Sequence, residues 1–136
     1  MKGLEVAYSR NGDVIHSGAL RLPLTQIQPQ SCVDPPLSCN WYSVGPGKRV
    51  TLHMHTTKSE LWFIVSGKGQ VTLATETIDV ESGTSIMTPP NMPHALRNTG
   101  SDALVFVGVA HPPSRPILGT NRIAGTIELE QHGAAL

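Results

Sequence analysis

His53 and His55 stand one residue apart, Glu60 follows four intervening residues later, and His94 comes behind the turn Pro89-Pro90-Asn91-Met92-Pro93. Three imidazoles and a carboxylate are the donor types of a mononuclear metal site. In a β-strand successive side chains point to opposite faces, so a His-x-His pair aims both rings at one side while Met54 faces the other. Glu60, after the loop at 56–59, then begins the antiparallel partner strand at about their height. The three prolines ahead of His94 fix the chain direction and leave that imidazole little entropy to lose. A lone histidine on a strand is ordinarily a satisfied core or surface residue. Burying three of them with a glutamate, all unpaired, would be costly, so the four together point to a bound cation.

This donor set suits one divalent transition metal, iron, manganese, nickel, cobalt or zinc, and disfavours calcium and magnesium, which seek oxygen ligands. An octahedral ion with four protein ligands keeps two adjacent positions for water, substrate or dioxygen. Tetrahedral zinc would be saturated and chemically quiet.

The elements that must position these residues read as strands. Eleven prolines and thirteen glycines punctuate short β-rich runs, and no stretch keeps helical apolar spacing for long. Strands are expected at 40–44, 49–55, 60–66, 69–75, 77–80, 84–88, 94–98 and 103–110. Residues 4–9 and 14–20 flank Asn11-Gly12 and read as an outer hairpin. Residues 21–38, with Pro23, Pro29, Pro35 and Pro36, read as a loop across one end of a barrel. Residues 122–130 alternate apolar with polar and read as a final strand, free to pair with the N-terminal hairpin or with a second subunit. The fold class is therefore all-β, a barrel or double-sheet jelly roll, in a single domain over 1–136 with a C-terminal extension at 111–136.

Composition excludes several partners. Lys plus Arg equal Asp plus Glu at ten each, and aromatic residues make up 4% of the chain. That leaves no basic footprint or stacking platform for nucleic acid. The apolar run 103–110 is too short to span a bilayer and the N-terminus has no apolar leader, so a cytoplasmic protein acting on a small molecule is expected. Cys32 and Cys39 read as free thiols. His16, His111 and His132 have no partners at ligand spacing and read as structural or solvated.

Both halves of the donor set lie in a longer pattern. Gly47, His53, His55, Glu60 and Gly67 match the first cupin motif at every fixed position, and Gly83, Pro89, His94 and Asn98 match the second, with Asn91 where glycine is usual. Asn is the non-glycine residue that best tolerates left-handed backbone, so the turn can survive. Fifteen residues, 68–82, separate the two motifs. The chain thus resembles a small single-domain cupin of bacterial type over about 40–110. The resemblance implies a cupin double-stranded β-helix, a jelly-roll barrel of six or more strands with extra terminal strands, holding the metal near one mouth.

Counting in twos from the ligands places Thr51 and Arg49 on the His53 face, Trp62 and Ile64 on the Glu60 face, and Leu96 on the His94 face. The pocket is expected to be largely apolar. Glu60 or Tyr42 would handle protons, and Lys58 reads as a solvated charge. An apolar pocket favours an O2-dependent dioxygenase whose substrate chelates the metal through oxygen. A redox-neutral isomerase, lyase or decarboxylase is the next reading, and a non-catalytic metal- or sugar-binding module the third. Strand edges at both termini make a homodimer the expected assembly.

Overall fold

The computed structural model describes residues 4–8, 13–15, 19–32, 36–114 and 123–130. Among them are strands and no helix: β1 (Leu4–Tyr8), β2 (Asp13–Ile15), β3 (Ala19–Pro23), β4 (Gln26–Pro29), β5 (Ser38–Val44), β6 (Arg49–His55), β7 (Ser59–Ser66), β8 (Lys68–Leu73), β9 (Glu76–Glu81), β10 (Ser85–Thr88), β11 (His94–Asn98), β12 (Leu104–His111) and β13 (Thr126–Glu128). Two antiparallel sheets carry the barrel, in the orders β10-β7-β12-β5-β3-β2 and β13-β6-β11-β8-β9, and β1 pairs with β4 apart from them. This is an all-β double-stranded β-helix. Inward residues alternate along the strands: Val44, Ile64, Ile86, Leu104 and Phe106 of the first sheet pack with Val50, Val71, Val80 and Leu96 of the second.

The chain changes sheets between β7 and β8 at Gly67, whose φ is +89°. A Cβ there would lie 2.5 Å from the Ala103 carbonyl oxygen, so both the conformation and the close approach call for glycine. Expected strands from 40 to 110 all form, with ends moved by one or two residues. The β8–β9 hairpin turns at Ala74-Thr75 with Ala74 at φ +55°. No Asn-Gly or Asp-Gly signature marks that turn, which is why the strand pattern runs through it.

The termini differ from expectation. β1 pairs with β4 and β2 with β3, so the first twenty residues are not one hairpin; Asn11-Gly12 lies outside the described residues. The proposed loop at 21–38 contains β4 and most of β3. Pro23 and Pro29 are the last residues of those strands, and a terminal proline ends a ladder without preventing it. β3 also inverts the usual pattern, burying Arg21 and exposing Leu20 and Leu22. The final strand is shorter than expected and pairs with β6 within the chain, Thr126 opposite His55 and Glu128 opposite His53.

Along β11 and β6, His94 faces His53, but Leu96 faces Val50. Two residues on one strand thus match three on the other, a β-bulge that reverses the in–out parity of β6 between Thr51 and Val50. Val50 points into the core as a result. Arg49 lies opposite the exposed Arg97, on the outer face.

Gly108 of β12 lies opposite both Asn40 and Trp62. A Cβ at Gly108 would lie 2.9 Å from Tyr42 Cε2 and 3.1 Å from Trp62 Cδ1. Gly108→Ala should therefore wedge two buried aromatic rings apart and cost about 1–3 kcal/mol. Thermal unfolding of the variant would show this as a lowered Tm; an unchanged Tm would mean the rings move aside freely.

Candidate metal centre

His53 and His55 project inward from the end of β6, and β11 sets His94 directly opposite His53. All three are buried, and one nitrogen from each lies within 4.8 Å of the others. The ring centroids are 4.2 Å (His53–His94), 4.8 Å (His53–His55) and 5.2 Å (His55–His94) apart, with the planes tilted rather than stacked. Three histidines are thus positioned to bind one metal ion.

The opposite edge of each ring is held. His53 Nδ1 donates to the Thr51 carbonyl at 2.7 Å and His94 Nδ1 to the Met92 carbonyl at 2.9 Å. A carbonyl only accepts, so in both rings the proton sits on Nδ1 and the lone pair on Nε2. His55 Nδ1 meets the Thr126 hydroxyl at 2.9 Å. His94 Nε2 is buried with no hydrogen-bond partner. A buried lone pair without a donor is costly, and a cation accepting it removes the cost, so the donor set fits a transition metal. Burial also lowers the His94 pKa to about 4, against the pull of Glu60. The neutral, ligating form is the one the fold favours.

Glu60 enters from β7 in the other sheet. Its Oε2 accepts from Trp62 Nε1 at 3.1 Å, and its Oε1 lies 2.5 Å from His55 Nε2 and 3.5 Å from Lys58 Nζ. At this distance the carboxylate oxygen and the imidazole nitrogen are in direct polar contact. Burial alone would raise the Glu60 pKa, but contact with His55 and the charge of Lys58 outweigh it and hold the carboxyl well below its ordinary range. Glu60 is therefore anionic beside the imidazoles.

The surroundings differ from the expected apolar pocket. The inner face of the first sheet carries Arg21, Ser38, Asn40, Tyr42, Glu60 and Thr88, all buried. Trp62 is buried against His94, ring centroids 5.3 Å apart, and so separates the histidines from the core. Ile64 and Leu96 belong to the aliphatic core. Tyr42 stacks on Phe106 at 4.6 Å. Thr51 is buried and donates to Glu128 Oε2 at 3.1 Å, while Arg49 pairs with Glu130 at 3.1 Å. The bulge in β6 is what takes Arg49 off the histidine face.

Lys58 is not a solvated charge. It is 5% exposed and donates to Ser114 Oγ at 2.5 Å besides its pairing with Glu60. Burial lowers its pKa, against the pull of Glu60. Arg21 and Thr126 were not singled out from the sequence. Arg21 sits in a segment whose prolines hid a strand, although its alternation with Leu20 and Leu22 was visible; Thr126 has no signal apart from β13 itself. His111 is exposed and its Nδ1 donates to the Pro36 carbonyl, and Cys32 and Cys39 are free thiols. His16 and His132 lie outside the described residues.

Comparison with known proteins bears on this geometry. The cupin domain family (Cupin_2) matches residues 40–110, more than half of the chain. Uncharacterized protein MJ1618 of Methanocaldococcus jannaschii is 36% identical over 67 residues, which are 49% of this chain and 54% of that protein. The mannose-1-phosphate guanylyltransferase RfbM of Salmonella typhimurium is 35% identical over 89 residues, 65% of this chain but 17% of the larger protein. The chain thus spans about half or less of these relatives. Among solved structures, a predicted oxalate decarboxylase from Thermotoga maritima superposes with a TM-score of 0.66 at 19% identity, covering 75% of this chain and 92% of that one. KdgF from Halomonas sp. superposes with a TM-score of 0.62 at 19% identity, covering 76% and 86%. At such identities the superpositions speak for the fold alone.

His53→Ala removes the ring with both a fixed Nδ1 proton and close approaches to the other two. The purified variant should lose stoichiometric transition metal by elemental analysis after dialysis, while the wild type keeps it. Retention of one equivalent by the variant would place the metal elsewhere.

Proposed function

This chain belongs to the cupin family, and on that premise we propose that it is a mononuclear metal-dependent enzyme whose substrate reaches the metal through oxygen atoms. His53, His55 and His94 are the ligands, with Glu60 as the fourth, and the metal is one of iron, manganese, nickel, cobalt or zinc. The carrying observation is the set of three buried imidazoles whose Nδ1 edges are anchored to oxygen. Such an ion supplies Lewis acidity to stabilise oxyanion charge on a bound substrate. The chain's own contribution is orientation and proton handling. Trp62 fixes Glu60 Oε2, and Lys58 sits at Oε1. A carboxylate held in this way can take a proton from a bound substrate and return it. Trp62, itself buried, closes the core side of that carboxylate.

The dioxygenase expectation rested on an apolar pocket. With Arg21, Asn40 and Thr88 buried on the inner face, the surroundings favour a polar substrate and a redox-neutral isomerisation, elimination or decarboxylation. Similarity to a sugar-phosphate guanylyltransferase over part of its length is in keeping with a polar substrate. The metal-reconstituted protein should exchange a substrate proton with deuterium oxide, followed by NMR over a set of hydroxy acids and keto sugars, without consuming oxygen. Stoichiometric oxygen uptake in an electrode with the same compounds would restore the dioxygenase reading. Glu60→Gln should abolish the exchange.

The assembly we propose is a homodimer, in the cytoplasm, formed through a face of the barrel and not through the C-terminal strand, which pairs with β6 within the chain. No helix among the described residues is long and apolar enough to cross a membrane. The outer face of the first sheet instead offers rows of apolar side chains: Leu22, Trp41, Val107 and Phe63 in one row, Val109, Leu61 and Met87 in the next. Phe63 is 44% exposed and Met87 56%, and none of these side chains is charged. A face of this kind is self-complementary about a two-fold axis, so a second copy is its natural cover. Phe63→Glu would bring two like charges together there and should give a monomer by light scattering. A wild type that is already monomeric would end the proposal.

A further inference from the structure

One of the three histidines is anchored differently from the other two. His53 and His94 turn Nδ1 to backbone carbonyls two residues upstream, whereas His55 Nδ1 meets a side chain, the Thr126 hydroxyl, at 2.9 Å. Thr126 is 71 positions away, on a strand beyond the stretch 40–110 that carries the cupin match. It stands directly opposite His55 where β13 pairs with β6.

Several contacts hold that register without using the hydroxyl. The Thr56 N–H donates to the Gly125 carbonyl at 2.9 Å, and the Leu129 N–H to the Leu52 carbonyl at 2.9 Å. Thr51 donates to Glu128, and Arg49 pairs with Glu130. Upstream, Ile123 is buried and its carbonyl accepts from the Thr126 N–H at 3.3 Å. Gly125 takes φ +75° close against the other strand, where an added Cβ would lie 3.2 Å from Thr56 Oγ1. The strand is thus seated by its neighbours, and the Thr126 hydroxyl is left for His55.

We propose that Thr126 is a positioning residue for the metal ligand His55, so that a strand outside the family match sets how tightly the centre holds its ion. The inference rests on the metal-enzyme reading above and deepens it. An imidazole that ligates through Nε2 carries its proton on Nδ1, and a hydroxyl oxygen can accept that proton's hydrogen bond. The bond fixes the plane of the ring and raises its basicity toward the metal. No other hydrogen-bond partner of His55 Nδ1 lies among the described residues, and the χ2 torsion of a histidine is soft, so without the hydroxyl the ring is free to turn. Nε2 of the same ring lies 2.5 Å from Glu60 Oε1, so a shift of His55 reaches the fourth ligand as well.

The test uses the full chain and cobalt(II), with affinity read by competition with a chromophoric chelator and the ligand set read from the visible absorption. Thr126→Val keeps the β-branched shape that suits a strand and removes the anchor. It should bind cobalt about 10- to 100-fold more weakly than the wild type, the usual loss for an outer partner of a ligating histidine, with an altered spectrum. Thr126→Ser keeps the hydroxyl and should restore most of the affinity. Equal cobalt affinity in the wild type and Thr126→Val, or equal losses in Thr126→Val and Thr126→Ser, would overturn the positioning role and leave the metal site standing. A wild type that takes up no cobalt would instead overturn the metal reading, and this inference with it. Should Thr126→Val fail to fold, as its thermal melt would show, Thr126→Ala against Thr126→Ser decides, since those two differ by the hydroxyl alone.

Discussion

The centre depends on each imidazole spending its Nδ1 on an oxygen of the protein. A free ring in a barrel can rotate, flip and move its proton between nitrogens; a ring whose Nδ1 faces a carbonyl at 2.7–2.9 Å can do none of these without losing a buried hydrogen bond. In His53 and His94 the acceptor is the carbonyl two residues upstream. The local backbone path therefore sets ring direction, and the irregularities on either side are part of the site. The β6 bulge leaves a residue out of the regular ladder, and Thr51 in that stretch turns its carbonyl to His53. The proline-rich turn does the same for Met92 and His94.

That turn is also joined to the first pair of histidines. Asn91 adopts φ +65°, and its N–H donates to the His55 carbonyl at 2.7 Å. Asparagine takes the left-handed conformation that glycine takes elsewhere in the family motif, at the small cost that its side chain makes tolerable. On the other flank, β13 gives Thr126 to His55, and the Leu129 N–H donates to the Leu52 carbonyl. Residues distant in sequence thus frame His55 from both sides, so the alignment of one ligand depends on the pairing of three adjacent strands.

The parts legible in the sequence were those with local causes. His-x-His on a strand, Glu60 after a short loop and His94 after three prolines need only the pleat and the stiffness of proline to be placed, and the structure brings the three histidines together. Arg49 leaves the histidine face because counting in twos assumes an unbroken pleat, and a bulge leaves no clear mark in composition, whereas Thr51 stays buried two residues before His53. The strand that carries Arg21 is hidden by its proline, which sits at the strand end and does not exclude a ladder. Lys58 was misread for a different reason: its burial depends on Ser114, far along the chain, and no local pattern encodes that contact. Thr126 belongs with it.

Holding charge inside a small barrel requires the charged and aliphatic regions to be kept apart, and the aromatic residues do this. Trp62 meets His94 edge-on with its ring and Glu60 with its N–H, then packs on Phe106 at 4.8 Å, which in turn stacks on Tyr42. Below lie Val44, Val50, Ile64, Leu96 and Leu104; above lie three histidines, Glu60 and Lys58. An amphipathic ring can face both environments because its edge donates a hydrogen bond while its faces bury apolar area. Gly108 lets this layer close, since a side chain there would push Tyr42 from Trp62. The core can therefore supply folding energy without solvating the ions, and the ions can be aimed at a ligand without sitting in the core.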